Sequence, residues 1–209
     1  MRHPDQQSGH NGSVDSIEVI VEIPKGSRNK YEYDHDRHVI RLDRRLFSAT
    51  VYPADYGFIP DTLAEDGDPL DALVLVEEAT FPGCLVRVRP LGVFWMTDEH
   101  GPDAKIICVH EGDPTWGGVE SLDGLPGHLL DEIRHFFDVY KDLEPGKSTS
   151  TLGYGDVDAA RSEIEAAFRR AREAEAPADA SGASEPVAPE GPRRAGETAG
   201  TGTAVGPRP

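Results

Sequence analysis

Cysteine is scarce in this chain of 209 residues, with two positions, Cys84 and Cys108. Both lie in or beside apolar strand patterns, without metal-ligand spacing and without a disulfide framework. They read as reduced core thiols of a cytoplasmic protein. Positive charge is also short, with 21 Lys and Arg against 38 Asp and Glu and a net charge of −17. That balance argues against a nucleic-acid partner, because phosphate backbones attract basic faces. No apolar run approaches the roughly 18 residues that a membrane helix needs, and the polar amino terminus has no secretory core. There is no P-loop, no Gly-x-Ser-x-Gly elbow and no internal repeat. Residues 177–209 contain no Leu, Ile, Phe, Tyr or Trp. Such a tail buries too little apolar surface to offset ordering and is expected to be disordered, as is a polar extension over 1–15. Residues 16–176 remain, enough for one sizeable core.

What is abundant is acid, and it is concentrated. Asp55, Asp61, Glu65, Asp66, Asp68 and Asp71 fall within 17 residues, beside Tyr52 and Tyr56. Carboxylates this dense raise one another's pKa unless a cation sits among them. Hard divalent cations such as Mg²⁺ take oxygen ligands and often share them with a phosphate-bearing substrate. The run Asp66-Gly67-Asp68-Pro69-Leu70-Asp71 spaces three carboxylates at i, i+2 and i+5. Gly67 permits a tight bend and Pro69 fixes its own φ, so this is no helix interior. The offsets do not fit an EF-hand loop. Asp71 interrupts an apolar run, Leu70 to Val76, that reads as a buried strand, and a carboxylate there needs a partner.

Further groups lie elsewhere. Asp98, Glu99 and Asp103 flank a Gly-Pro turn, with Lys105 two residues on; taken alone, the segment is a polar hairpin loop. Glu22 sits on the polar face of an alternating strand, Ile17 to Ile23. Lys25, Arg28 and Lys30 lie in a Pro-Lys-Gly-Ser turn, Arg44 and Arg45 follow a short strand, and Lys141 and Lys147 flank Asp-Leu-Glu-Pro-Gly. A phosphate-bearing substrate would need some of them, with Arg as a fork and Lys as a point charge.

Strand signals cover 17–23, 38–42, 70–76, 85–95 and 105–109. After Pro126, Leu129, Leu130, Ile133, Phe136, Phe137 and Tyr140 recur at helical spacing, and a second amphipathic helix is expected over 157–175 with Ile164, Ala167, Phe168 and Ala171 on one face.

With these residues in place, the chain resembles the soluble family I inorganic pyrophosphatases over roughly residues 16–172. The resemblance is carried by Glu22-Ile-Pro-Lys-Gly-Ser-Arg-Asn-Lys-Tyr-Glu32, Tyr52-Pro-Ala-Asp-Tyr-Gly-Phe-Ile59, Asp66-Gly-Asp-Pro-Leu-Asp71, Asp98-Glu99 with Asp103 and Lys105, and His135-Phe-Phe-Asp-Val-Tyr-Lys-Asp-Leu-Glu144. The first of these, with Asp98-Glu99-His100-Gly101, looks most like actinobacterial members. The resemblance implies a mainly β (α+β) fold, an OB-like five-stranded β-barrel with two main flanking helices. It also implies a homohexamer and the Mg²⁺-dependent hydrolysis of pyrophosphate, with several Mg²⁺ per site. Asp66, Asp71 and Asp103 would hold the tightest Mg²⁺, with Asp71 bridging to a second. Asp98 and Asp103 would hold one that arrives with substrate, and Glu22 and Glu32 a further one. Asp68 would be the general base. Lys30, Arg44, Tyr140 and Lys141 would grip the phosphoryl groups, and Tyr52, Tyr56 and Lys105 would support the ligands. His35 and His100 match histidines near the site in actinobacterial members. One departure is Gly146-Lys147-Ser148-Thr149, where many members have an aromatic directly after Gly-Lys. Two other classes compete: an acidic barrel that binds Ca²⁺ or a protein, and a two-metal phosphatase acting on nucleotides or phosphomonoesters. The first leaves Lys30, Arg44 and Lys141 unexplained.

Overall fold

Alternation decides the first element. In the computed structural model, which describes residues 14–176, Ile17–Ile23 forms β1 with every odd residue buried. It is followed by β2 (Asn29–Asp34), β3 (Val39–Arg45), β4 (Asp55–Phe58), β5 (Asp71–Leu75), β6 (Leu85–Asp98) and β7 (Gly101–His110). A 3-10 turn at Leu122–Gly124, α1 (Gly127–Val139), β8 (Thr149–Gly155) and α2 (Val157–Glu175) complete the order.

Five strands close on themselves. β1 pairs with β4, β4 with β5, β5 with β7, β7 with β6, and β6 returns to β1. Only the β5–β7 step is parallel. This ring is the OB-like five-stranded arrangement expected, with a different membership. The segment at 38–42 is not part of it: it belongs to β3, which pairs with β2 in a separate two-stranded sheet. Its place in the ring is taken by β4, which was not expected as a strand because Asp55-Tyr-Gly-Phe58 is short and contains glycine. That glycine is required. A Cβ on Gly57 would lie 1.9 Å from the carbonyl oxygen of Ile20, so β1 and β4 can approach only here without a side chain. The strands of β6 and β7 also run further than expected, to Asp98 and from Gly101, leaving a tight turn in place of a loop. β8 adds to the outer half of β6; Thr149, Ser150 and Thr151 supply its β-branched and polar start.

Successive residues of β5 and β7 point to opposite faces, each with its own apolar cluster. Leu73, Leu75, Ile107 and Val109 pack with Ile133, Phe136 and Phe137 of α1. Ala72, Val74, Ile106 and Cys108 pack with Ala160, Ile164 and Ala167 of α2. Each large side chain so buried contributes about 1.5–3 kcal/mol. Helix α2 starts at an Asp156 N-cap whose carboxylate accepts from the Ala159 N–H at 2.9 Å. Both cysteines are free; Cys108 is buried, while Cys84 is only partly covered. No helix among the described residues is long and apolar enough to cross a membrane. The expected extensions at 1–15 and 177–209 lie outside the described residues, apart from Val14 and Asp15.

Candidate active site

Strand register brings the first acids together. Asp71 opens β5 opposite Lys105 of β7 and Phe58 of β4, while Asp103 lies two residues before Lys105 on the same strand. The Lys105 ammonium is 2.7 Å from Asp71 Oδ2 and 2.8 and 2.9 Å from the two Asp103 oxygens. It also donates to the Tyr56 hydroxyl at 3.0 Å, which donates in turn to Asp71. The Lys105 side chain is 2% exposed. Burial alone would lower its pKa, but Asp71 and Asp103 outweigh burial and hold it above the usual lysine range. The aromatic floor is continuous: Tyr52, Tyr56, Phe136, Phe137 and Tyr140 contact one another with centroids 4.8–6.3 Å apart. Burial raises the hydroxyl pKa of Tyr52, Tyr56 and Tyr140, keeping all three neutral hydrogen-bonding groups.

Asp66 and Asp68 stand on the exposed turn before β5. Gly67 makes the bend at φ +95°. The Asp68 N–H donates to Asp66 Oδ1 at 3.1 Å and the Ala64 N–H to the Asp68 carbonyl at 2.7 Å. Glu22 faces the same centre from β1, its Oε1 accepting from the Tyr33 N–H at 2.6 Å. Burial, then the charges of Asp71 and Glu32, raise Glu22 to about 7. Burial and the charges of Asp71 and Asp66 likewise raise Asp103 to about 6 despite Lys105.

The cationic side is built from the β2–β3 hairpin and the turn after α1. Lys30 is 2.7 Å from Glu32 and 3.8 Å from Asp43. Arg44 contacts Asp43 and, through Nε, Glu144 at 3.0 Å. The Lys141 ammonium donates to Asp98 at 2.8 Å and to both Glu99 oxygens at 3.2 Å, with the Tyr140 ring centroid 5.5 Å away. Burial tends to raise Asp98 and Glu99, but bonds from backbone N–H groups and from Lys141 outweigh it and hold both below the usual carboxylate range.

Not every expected residue converges. Asp98 and Asp103 have separate ammonium partners, Lys141 and Lys105. Asp55 is no ligand candidate: fully buried, it accepts from the Lys25 N–H and from the N–H and hydroxyl of Thr80. His35 packs on Tyr33 and Phe58 at the hairpin end, and the His100 side chain is 73% exposed. Lys30 lies in β2 and not in the preceding turn, and Arg44 lies within β3 and not after it. Glu99, Asp43 and Glu144 were given no role from sequence, though Glu99 and Glu144 sit inside the quoted motifs; their links to Lys141 and Arg44 span 42 and 100 positions.

Among the described residues no three His, Cys, Asp or Glu side chains already converge on a metal position, and Lys105 lies between Asp71 and Asp103. The donor set nevertheless fits a hard divalent cation. It is all oxygen, and Glu22, Asp66 and Asp103 carry raised pKa values from burial and mutual repulsion, which a nearby cation relieves.

Comparison with known proteins agrees with this arrangement. The model of the inorganic pyrophosphatase family matches residues 19–172. The chain is 59% identical over 142 residues to an inorganic pyrophosphatase of Methanosarcina acetivorans, covering 68% of this chain and 84% of that protein. It is 54% identical over 154 residues to one of Streptomyces coelicolor, covering 74% and 94%. Among solved structures, an inorganic pyrophosphatase from Helicobacter pylori superposes with a TM-score of 0.76 at 41% identity, covering 80% of this chain and 99% of that one. On the closed strand ring, the acid cluster and this breadth of matching sequence, the chain belongs to the inorganic pyrophosphatase family.

Proposed function

We infer that this chain hydrolyses inorganic pyrophosphate to two phosphates with Mg²⁺, in the cytoplasm and as a homohexamer, through residues 16–176. The observation that carries the reading is that Lys105 joins Asp71 and Asp103, while the charges of Arg44, Lys141 and Lys30 reach the same neighbouring groups, Tyr52, Tyr140 and Glu22, as do those acids, in a chain of this family. An acid cluster alone would bind cations. Acids ringed by basic side chains on separate elements suit a cation and a polyanion together.

Glu22, Glu32, Asp66, Asp71, Asp98 and Asp103 would hold Mg²⁺, which when bound lowers the pKa of water and offsets phosphoryl charge. Asp68, exposed on its turn, takes a proton from the attacking water. Tyr56 and Lys105 fix the Asp71 carboxylate from two sides, and Tyr52 packs against Tyr56. Lys30, Arg44, Tyr140 and Lys141 bind phosphoryl oxygens, with the Lys141 ammonium against the Tyr140 ring. His100 donates its backbone N–H to Asp98 Oδ1 at 2.8 Å and its ring approaches Glu99 at 4.0 Å, while His35 packs on Tyr33 and Phe58.

The test is phosphate release by purified protein from pyrophosphate, ATP and a phosphomonoester, with Mg²⁺ and with Ca²⁺. Turnover of pyrophosphate with Mg²⁺ and inhibition by Ca²⁺ are expected, since the larger ion misplaces the reacting groups. Equal turnover with Ca²⁺ alone, or a preference for the phosphomonoester, would refute the reading.

A further inference from the structure

Glu144 is a carboxylate buried within a surface meant for an anion. Its side chain is 4% exposed and lies in the turn after α1, where its N–H donates to the Lys141 carbonyl at 2.8 Å. Its oxygens accept from Arg44 Nε at 3.0 Å and from the Lys147 ammonium at 3.2 Å. A negative charge beside bound pyrophosphate opposes binding unless it serves another purpose. Its partner suggests the purpose. Arg44 sits on β3, and β2 and β3 form a sheet of their own, without a ladder to the ring strands. Strand pairing therefore does not set the Arg44 guanidinium relative to Lys141: the buried Leu46 seats the end of β3 in the α1 cluster, and the Glu144 pair links the guanidinium itself to the Lys141 turn.

We propose that Glu144 is a positioning residue: it locks the hairpin-borne Arg44 onto the Lys141 turn, so that the two cations meet pyrophosphate as one preset pair. Glu144 occupies the Nε–H of the guanidinium and Asp43 meets Nη1. The fork's other donors are those that meet a phosphoryl group. Lys147, 3.2 Å from Glu144 Oε2, neutralises the charge that would otherwise repel substrate. The proposal rests on the reading of Arg44 as a pyrophosphate ligand.

The experiment is steady-state kinetics on Arg44→Ala, Glu144→Ala, Glu144→Gln and the double variant Arg44→Ala/Glu144→Ala, with Mg²⁺ saturating. Arg44→Ala and Glu144→Ala are each expected to raise KM for pyrophosphate roughly tenfold with a smaller change in kcat, the scale of one charge-assisted hydrogen bond. The double variant should match Arg44→Ala alone, because Glu144 acts only through Arg44. Glu144→Gln keeps an acceptor for Nε–H and should recover most of the KM, which also covers the case in which Glu144→Ala folds poorly. If Arg44→Ala leaves KM unchanged, the assignment of Arg44 falls and this inference with it. If Arg44→Ala raises KM but Glu144→Ala is as damaging in that background as in the parent, Glu144 is a structural carboxylate and the inference alone is overturned. A Glu144→Gln variant as impaired as Glu144→Ala has the same consequence.

Discussion

The two halves of the site are built differently. Asp71, Asp103, Lys105 and Tyr56 stand on strands of the closed ring, where backbone ladders set their spacing to within a side-chain rotamer. Lys30, Arg44 and Lys141 stand on a separate hairpin and on a post-helical turn, joined by ion pairs to Glu32, Asp43, Glu144, Asp98 and Glu99. The acid half thus has a fixed geometry, as a metal of strict coordination requires. The cation half is set by side-chain ion pairs instead of by backbone ladders.

The sharpest way to break this contrast is to remove the central cation of the rigid half. Lys105→Met leaves Asp71 and Asp103 facing each other without their partner. Urea unfolding in the presence of a chelator should show a loss of about 3–5 kcal/mol. A loss below 1 kcal/mol would mean that Lys105 is not what holds the acids.

The next effect separates two neighbouring aspartates. Asp68→Asn should lower kcat by about 10²–10⁴-fold, the range for a general base, with KM little altered. Asp71→Asn should lower turnover and demand more Mg²⁺ for half-maximal rate. Identical Mg²⁺ dependence in the two variants would erase the distinction between turn and strand.

On the cation side the outcome should invert. Lys30→Met breaks partly exposed pairs with Glu32 and Asp43, each worth up to about 1 kcal/mol of stability, yet it should raise KM for pyrophosphate. Unfolding and kinetics on the same preparation check both arms.

The smallest effect is that of pH on the metal-free protein. Glu22 and Asp103 titrate near 7 and 6 in the fold, against ordinary values of 4.5 and 3.8. A raised carboxyl pKa means that the folded state binds the extra proton, so stability falls as pH rises between the two values. Asp98, Glu99 and Asp43 are lowered, so their contribution is lost only at more acid pH. The melting temperature with chelator should therefore be higher at pH 5 than at pH 7.5, and Mg²⁺ should narrow the gap. A melting temperature that rises over that interval would contradict the sign.

Much of this was legible in the residues. The alternation of β1, the helical spacing of Phe136, Phe137 and Tyr140, and the acid run ending at Asp71 each follow from a local period or from the cost of burying a charge. Family resemblance added roles to those positions. What stayed hidden was non-local. No propensity marks Asp55-Tyr-Gly-Phe58 as a strand, because its reason for being one is the close approach of Ile20. Asp55 looked like part of the acid cluster, and only the fold shows its oxygens turned to Lys25 and Thr80. The segment after Gly146-Lys147 lacks an apolar signal, yet it forms β8 by pairing with β6, and Thr149 and Thr151 bond back to α1.

If ring acids led by Asp71 anchor the metal while the cations of the hairpin and the post-helical turn grip the substrate, Mg²⁺ titration calorimetry without pyrophosphate separates the two. Compared with the parent chain, Asp71→Asn should lose the tight Mg²⁺ heat while Asp68→Asn and Lys30→Met retain it. A tight Mg²⁺ site that survives Asp71→Asn, or that disappears with Lys30→Met, would contradict the account.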